Sequence, residues 1–149
     1  MSDIYTQTLD ALTAPDQTFA FKEELHSSGV TYREFTNIPK TLANYFEYGL
    51  MFPEWEFVVF EDERYTYQDI HNKAAQAANA FLDAGVKKGD RVAICMANNP
   101  EYIICYMALT SIGAVCVLLN SWWVPDEVSY GLENSQAKIL VADQKRLRG

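Results

Sequence analysis

Apolar and polar residues change period several times along the chain, and each change marks an element. Between residues 91 and 142 the order reads strand, helix, strand, helix, strand. Arg91-Val92-Ala93-Ile94-Cys95-Met96 is apolar on both faces, the pattern of a strand buried inside a parallel sheet. Asn99-Pro100-Glu101 then opens a helix carrying Ile103, Ile104, Met107, Ala108 and Ile112, apolar around much of its circumference and therefore expected between layers. Gly113 supplies the left-handed stop, the β-branched run at 114–119 gives a second strand, and Asn120 ends it. After Ser121-Trp122-Trp123, Pro125-Asp126-Glu127 starts a third helix with Val128 and Leu132 inward, and Lys138-Ile139-Leu140-Val141-Ala142 closes the unit as a strand. The expected fold is α/β: a parallel, doubly wound βαβαβ unit with right-handed crossovers.

Upstream the periods are shorter. Residues 1–36 form an acidic, helical lead-in with a short helix expected around residues 19–25, and residues 37–149 form the α/β domain. Pro39 and Thr41 precede Leu42, Tyr45 and Phe46, which share one face of a helix by their spacing, and Pro53 ends that unit. Glu56-Phe57-Val58-Val59-Phe60 and Arg64-Tyr65-Thr66 flank the acidic turn Glu61-Asp62-Glu63, giving a short β-hairpin without the glycine that tight hairpins prefer. Thr66 followed by Asp69 is the signature of a capped helix start. In the helix that follows, Ile70, Ala74, Ala77, Ala78, Phe81 and Leu82 form one stripe whose alanines allow close approach to a sheet, and Gly85 stops it.

Composition narrows the possibilities. A chain of 149 residues, 49% hydrophobic and 21% charged, can bury a proper core. The formal charge is −8, and residues 1–63 alone hold twelve acids against Lys22, Arg33 and Lys40. That sign is wrong for a nucleic-acid surface. Lys87-Lys88 and Lys145-Arg146 are short enough to read as a solvated loop and helix end. Residues 102–119 are uncharged over nearly the length of a membrane span, yet Thr110, Ser111 and Gly113 punctuate the run and the β-branched cluster after it favours a strand, so no membrane span is expected. The first residues lack the basic start and apolar core of a signal peptide, and a cytoplasmic protein is the expectation. Cys95, Cys105 and Cys116 lie in apolar context with neither a CxxC pair nor a histidine at ligand spacing, so reduced, buried thiols and no metal are expected.

No nucleotide-binding motif of either common kind occurs. The strand-to-helix junction Ala97-Asn98-Asn99-Pro100 has no glycine to admit a pyrophosphate. His26, in a Ser/Gly loop, and His71, on an early helix turn, are isolated and read as surface residues; Ser111 and Ser121 lack a nucleophile elbow, and Glu61-Asp62-Glu63 reads as a solvated turn. Adjacent tryptophans on an extended chain cannot both face one side. One ring of Trp122-Trp123 is expected to plug the core beneath the third helix, the alternative being an aromatic wall beside a substrate entrance. The residues thus assign no catalytic, cofactor-binding or metal-ligating side chain.

The motifs together resemble a family. Tyr65-Thr66-Tyr67-Gln68-Asp69-Ile70 is similar to the early Thr-Tyr-x-Glu-Leu segment of the adenylate-forming (AMP-binding) superfamily, and Gly85-Val86-Lys87-Lys88-Gly89-Asp90-Arg91-Val92-Ala93 to its Gly-Val-x-x-Gly-Asp-x-Val-Ala. Asn99-Pro100-Glu101 resembles its Asn/Ser-x-Glu helix start, residues 109–120 its Ala-Gly-Ala-Val strand, and Pro125-Asp126-Glu127-Val128 its Glu-Leu helix. The order and spacing hold over residues 42–149; Asp69 replaces the usual Glu, and Thr110-Ser111-Ile112 the usual Lys-x-Ala. Asn120-Ser121-Trp122-Trp123 resembles the branch acting on fatty or other acyl acids more than the amino-acid-activating modules.

The resemblance implies part of the large N-terminal domain of an acyl-CoA synthetase. Such an enzyme activates a carboxylate with ATP and magnesium to an acyl-adenylate, releases pyrophosphate, and passes the acyl group to coenzyme A. Its Ser/Thr/Gly-rich phosphate loop, Tyr-Gly-x-Thr-Glu segment, ribose-binding Asp and C-terminal Lys are all missing from these residues. The implied role is a scaffold fragment of the ligase, inactive alone, with no cofactor of its own. Its implied partners are the remainder of the parent enzyme and, through it, a small-molecule carboxylate, with self-association through the uncovered face. The competing reading is a freestanding acidic α/β protein-interaction module.

Overall fold

The computed structural model describes residues 2–146. The chain divides into two compact units, Met1–Lys40 and Thr41–Gly149.

The first unit holds helix α1 (Ser2–Leu12) and a hairpin of strands β1 (Phe21–Leu25) and β2 (Thr31–Phe35). The short helix expected around residues 19–25 is therefore a strand. Lys22, Glu23, Glu24 and Leu25 all favour helix intrinsically, but pairing overrides that preference. Lys22 stands opposite Glu34 and Glu23 opposite Arg33 in the antiparallel register. Lys22 ion-pairs with Glu24 and, at 3.2 Å, with Glu34; the Arg33 guanidinium lies 4.9 Å from the Phe21 ring centroid. Gly29, at φ 82°, closes the connecting turn. Among the described residues of this unit only Ala20 is buried.

The second unit begins with helix α2 (Leu42–Glu47), capped by the Thr41 side chain, which accepts from Asn44 N at 3.1 Å. A 3-10 turn (Tyr48–Met51) follows. Of the face expected to be shared by Leu42, Tyr45 and Phe46, only Phe46 turns inward; the other two are exposed. Strands β3 (Glu56–Phe60) and β4 (Glu63–Thr66) make the expected hairpin. Without glycine, the turn places Glu61 at φ 51°, and the Arg64 guanidinium secures it by donating to the carbonyls of Glu61 and Glu63 at 2.8 and 2.9 Å.

Helix α3 (Tyr67–Asp83) starts in the anticipated capping box: Thr66 Oγ1 accepts from Asp69 N at 3.1 Å, and the Asp69 carboxylate accepts from Thr66 N at 2.9 Å. It ends at Gly85, φ 87°, where Val86 N donates to Phe81 O at 3.0 Å and Gly85 N to Leu82 O at 2.9 Å, the paired bonds of a left-handed cap. Its apolar stripe lies mainly along the next helix and the β3–β4 hairpin, with Ile70 and Ala74 beside Val58 and Met107, whereas Leu82 is exposed.

Strand β5 (Arg91–Cys95), helix α4 (Pro100–Ser111), strand β6 (Val115–Leu118), helix α5 (Pro125–Ser135) and strand β7 (Ile139–Ala142) complete the unit. The three strands form a parallel sheet in the order β6-β5-β7. Every expected strand and helix in this region is present, with ends shifted by a residue or so.

The central strand shows why both its faces are apolar. Val92 and Ile94 join Leu109 of α4 with Val86, Met96 and Ala114, while Ala93 and Cys95 face Leu119 and the half-buried Val128 and Leu132 of α5. Helices thus cover opposite sides of the sheet, as doubly wound topology requires. The uncharged stretch at 102–119 is broken where expected: α4 ends, Gly113 adopts φ 78°, and Ala114 N donates to Leu109 O at 2.9 Å. Among the described residues no helix is long and apolar enough to cross a membrane.

Candidate functional site

The C-terminal ends of β5, β6 and β7 bring three loops together. After β5 the chain departs to α4 on one face of the sheet; after β6 it departs to α5 on the other. Loops that leave adjacent strands towards opposite faces open a crevice between them, the place where open α/β sheets bind ligands. The crevice here encloses about 590 Å³, lined by Met96, Ala97 and Asn98 after β5 and by Asn120, Ser121 and Trp122 after β6, with Tyr102 and Arg146 closing its ends. A second hollow of about 410 Å³ continues past Trp122 towards α5 and Lys145.

A single ion pair fastens these loops. Asp143, just beyond β7, accepts from Ala97 N at 2.9 Å, and its carboxylate receives Arg146 Nη1 at 3.0 Å and Arg146 N at 3.1 Å. Arg146 Nε donates to Ser121 O at 3.2 Å. One carboxylate and one guanidinium therefore tie the segments after β5, β6 and β7 to each other. Both side chains are largely buried, at 18% and 16% exposure. Burial pushes the Asp143 carboxyl up, but the Ala97 and Arg146 hydrogen bonds and the guanidinium charge outweigh it and hold the group below the ordinary aspartate value. Arg146 is thus not the solvated charge that the run Lys145-Arg146 suggested. What the sequence could not reveal is that Asp143, three residues upstream, takes it out of water.

Neither tryptophan plugs the core as expected, Trp123 being itself 37% exposed. Trp123 packs on α5 at Gly131, where an added Cβ would lie 2.9 Å from the indole Cζ3 and from Leu119 Cδ2. Trp122 is 84% exposed and lines both hollows. Asn120 shapes the loop between them, its side chain accepting from Trp122 N at 3.0 Å.

The remaining candidates do not converge on the crevice. His26 is exposed, with Nδ1 3.1 Å from Ser28 Oγ. His71 is half-buried in a separate aromatic hollow. Ser111 is exposed at the end of α4, Ser121 contributes its carbonyl, and the Glu61-Asp62-Glu63 turn is exposed. The thiols of Cys95, Cys105 and Cys116 are free, but only Cys95 is buried as expected, the other two being half-buried; desolvation raises all three, and Cys116, with Cys105 adding to the effect, is pushed up to about 11. Such thiols are poor nucleophiles at neutral pH. Among the described residues no cluster of His, Cys, Asp or Glu has the arrangement of a metal site. The crevice can bind and orient a ligand through backbone amides, Asn98, Asn120, an indole face and a guanidinium. Among the described residues that line it there is no Asp, Glu, His or Cys.

Comparison with known proteins bears on the family and fold of the chain. The family model described as "AMP-binding enzyme" matches residues 46–148. The crotonobetaine/carnitine–CoA ligase of Escherichia coli O1:K1 / APEC is 40% identical over 78 residues, covering 52% of this chain and 15% of the ligase. The chain thus spans about 15% of the length of the curated relatives it matches. Among solved structures, the Klebsiella oxytoca NpsA N-terminal subdomain in complex with anthranilyl-AMSN superposes with a TM-score of 0.68 at 28% identity, over 71% of this chain and 28% of that one. The anthranilate CoA ligase AuaEII in complex with anthranoyl-AMP gives 0.71 at 23% identity, over 75% of this chain and 22% of that one, a likeness of fold.

Proposed function

The chain belongs to the AMP-binding enzyme family, and on that premise we propose that residues 37–149 form part of the large N-terminal domain of an ATP-dependent acid–CoA ligase acting in the cytoplasm. The observation that carries the proposal is the continuous family match over residues 46–148, which takes in the whole β5–β7 sheet and its crevice. Its identity with CoA ligases over 78 residues supports the acid–thiol branch. The freestanding interaction module is disfavoured by the same match.

The ligase reaction joins a carboxylate to AMP with loss of pyrophosphate and then transfers the acyl group to the thiol of coenzyme A. These residues supply the rigid platform: a sheet covered on both faces, with its three C-terminal loops fastened by Asp143 and Arg146. Among the described residues no cluster of His, Cys, Asp or Glu is placed to hold magnesium by itself. Nor do residues 1–149 contain a phosphate loop to stabilise charge on a departing pyrophosphate. The chain alone is expected to form no acyl-adenylate. Its exposed Val115, Leu118 and Leu140, on strands at either edge of the sheet, favour self-association at high concentration.

The test is complementation. Mixed with a separately expressed segment carrying the family's phosphate loop and C-terminal lysine, the chain should support carboxylate-dependent pyrophosphate release with coenzyme A as acceptor. Adenylation by the chain alone would show that the active site has been misplaced. A folded, associated pair that reacts with no acyl acid would remove the ligase reading.

A further inference from the structure

β6 lies at one edge of the parallel sheet, paired among the described residues with β5 alone. Its residues, Val115-Cys116-Val117-Leu118, are all apolar, the composition of a parallel strand that is covered on both faces. Coverage here is incomplete. Cys116 packs with the α4 side of the core and Val117 with the α5 side, whereas Val115 is 48% and Leu118 49% exposed.

The same edge has unused backbone hydrogen bonds. Val115 N donates to Asp90 O at 2.8 Å and Leu119 N to Ile94 O at 2.9 Å, so residues 115, 117 and 119 turn their backbone groups towards β5. Alternation along the strand turns the N–H and C=O of Cys116 and Leu118 the other way, where no described strand lies. A sheet edge left to water is guarded by charge, proline or a bulge. β6 has none of these. Its register with β5 is regular, and no charged residue occurs from Tyr102 to Pro125. β7, at the other edge, runs between Lys138 and Asp143.

We propose, on the strength of the ligase reading, that the free edge of β6 receives a further strand from the part of the same ligase that lies outside these 149 residues. The added strand takes up the N–H and C=O groups of Cys116 and Leu118, and the layers that accompany it cover Val115 and Leu118. The chain covers only 28% of the Klebsiella oxytoca NpsA N-terminal subdomain whose fold it shares, so most of such a subdomain is left to supply the strand. A second copy of the chain is the weaker occupant. It would bring together two molecules of formal charge −8, and it should take the edge only at high concentration.

Hydrogen exchange tests this edge residue by residue. In the dilute chain the amides of Cys116 and Leu118 should exchange about tenfold or more faster than that of Val117. In the complex obtained by co-expression with a segment carrying the family's phosphate loop and C-terminal lysine, they should slow to the rate of Val117. Leu118→Pro removes an outward N–H, which an edge strand tolerates. Val115→Lys combined with Leu118→Lys puts charge on the same edge. Each variant should keep the circular dichroism of the chain and weaken the complex severalfold. Slow exchange of Cys116 and Leu118 in the dilute chain, a complex in which both stay fast, no complex with the unaltered chain, or a complex indifferent to both variants would each overturn the proposal. Pyrophosphate release reports separately: a complex that protects β6 but activates no acid would keep the added strand and remove the ligase reading.

Discussion

Asp143 concentrates more structure on one side chain than any other described polar residue of the second unit. Its carboxylate receives Ala97 N, Arg146 N and the Arg146 guanidinium, and through Arg146 it reaches Ser121. These bonds depress its folded pKa, and the sign of the consequence follows. A depressed aspartate adds stability at every pH above its unfolded value of about 3.9, and that stability is lost as pH falls through the lower folded value. Asp143→Asn should therefore destabilise the protein by roughly 1–3 kcal/mol at neutral pH, because the amide leaves the guanidinium without its counter-charge. The deficit relative to wild type should shrink below about pH 4, where the wild-type carboxylate is itself being protonated. Urea unfolding of both proteins between pH 7 and pH 3 measures this; a pH-independent difference would show that packing, not charge, is what the residue contributes.

At the scale of elements, local punctuation decides where helices stop. α4 ends in two bonds, Gly113 N to Thr110 O at 3.1 Å and Ala114 N to Leu109 O at 2.9 Å, with Gly113 at φ 78°. Gly113 O also accepts from Gly89 N at 2.9 Å, so the cap holds the turn leading into β5. Gly113→Val should cost roughly 1 kcal/mol or more, since a β-branched side chain is strained in the left-handed region. Its Cβ would also meet Lys88 Cγ at 2.9 Å, although that flexible chain can move. An unchanged denaturation midpoint would remove the cap argument. Such signals explain why the β5–β7 region was legible from sequence: Thr66 with Asp69, Asn99-Pro100, Gly85 and Gly113 are short-range and chemically specific. The hairpin of β1 and β2 was not, because its ion pairs join residues that no local window contains, and its Lys-Glu-Glu-Leu run favours helix taken alone. The crevice was illegible for a related reason. It carries no glycine-rich motif, and its Asp143–Arg146 fastening acquires meaning only when three strands end side by side.

For the molecule as a whole, burial is distributed very unevenly between the two compact units. Among described residues, all the buried hydrophobic side chains except Ala20 belong to Thr41–Gly149. Met1–Lys40 relies instead on backbone pairing, the Lys22–Glu34 and Arg33–Glu23 ion pairs, and an edge-to-face contact of Phe19 with Phe35 at 6.2 Å. Exposed ion pairs contribute about 0–1 kcal/mol each, and an isolated two-stranded hairpin is marginal in water. Local opening of the first unit should therefore require far less free energy than opening the parallel sheet. Limited proteolysis should cut within residues 1–40 first and leave a resistant core beginning near Thr41. Hydrogen exchange should agree, with the amides of β1 and β2 exchanging well before those of Val92, Ala93 and Ile94, which lie in the central strand between two parallel neighbours. Raised salt should widen the gap by screening the hairpin's ion pairs while leaving the apolar sheet core intact. Equal protection of the two regions, or first cleavage inside the β5–β7 sheet, would mean that the first unit has a source of stability other than these surface contacts.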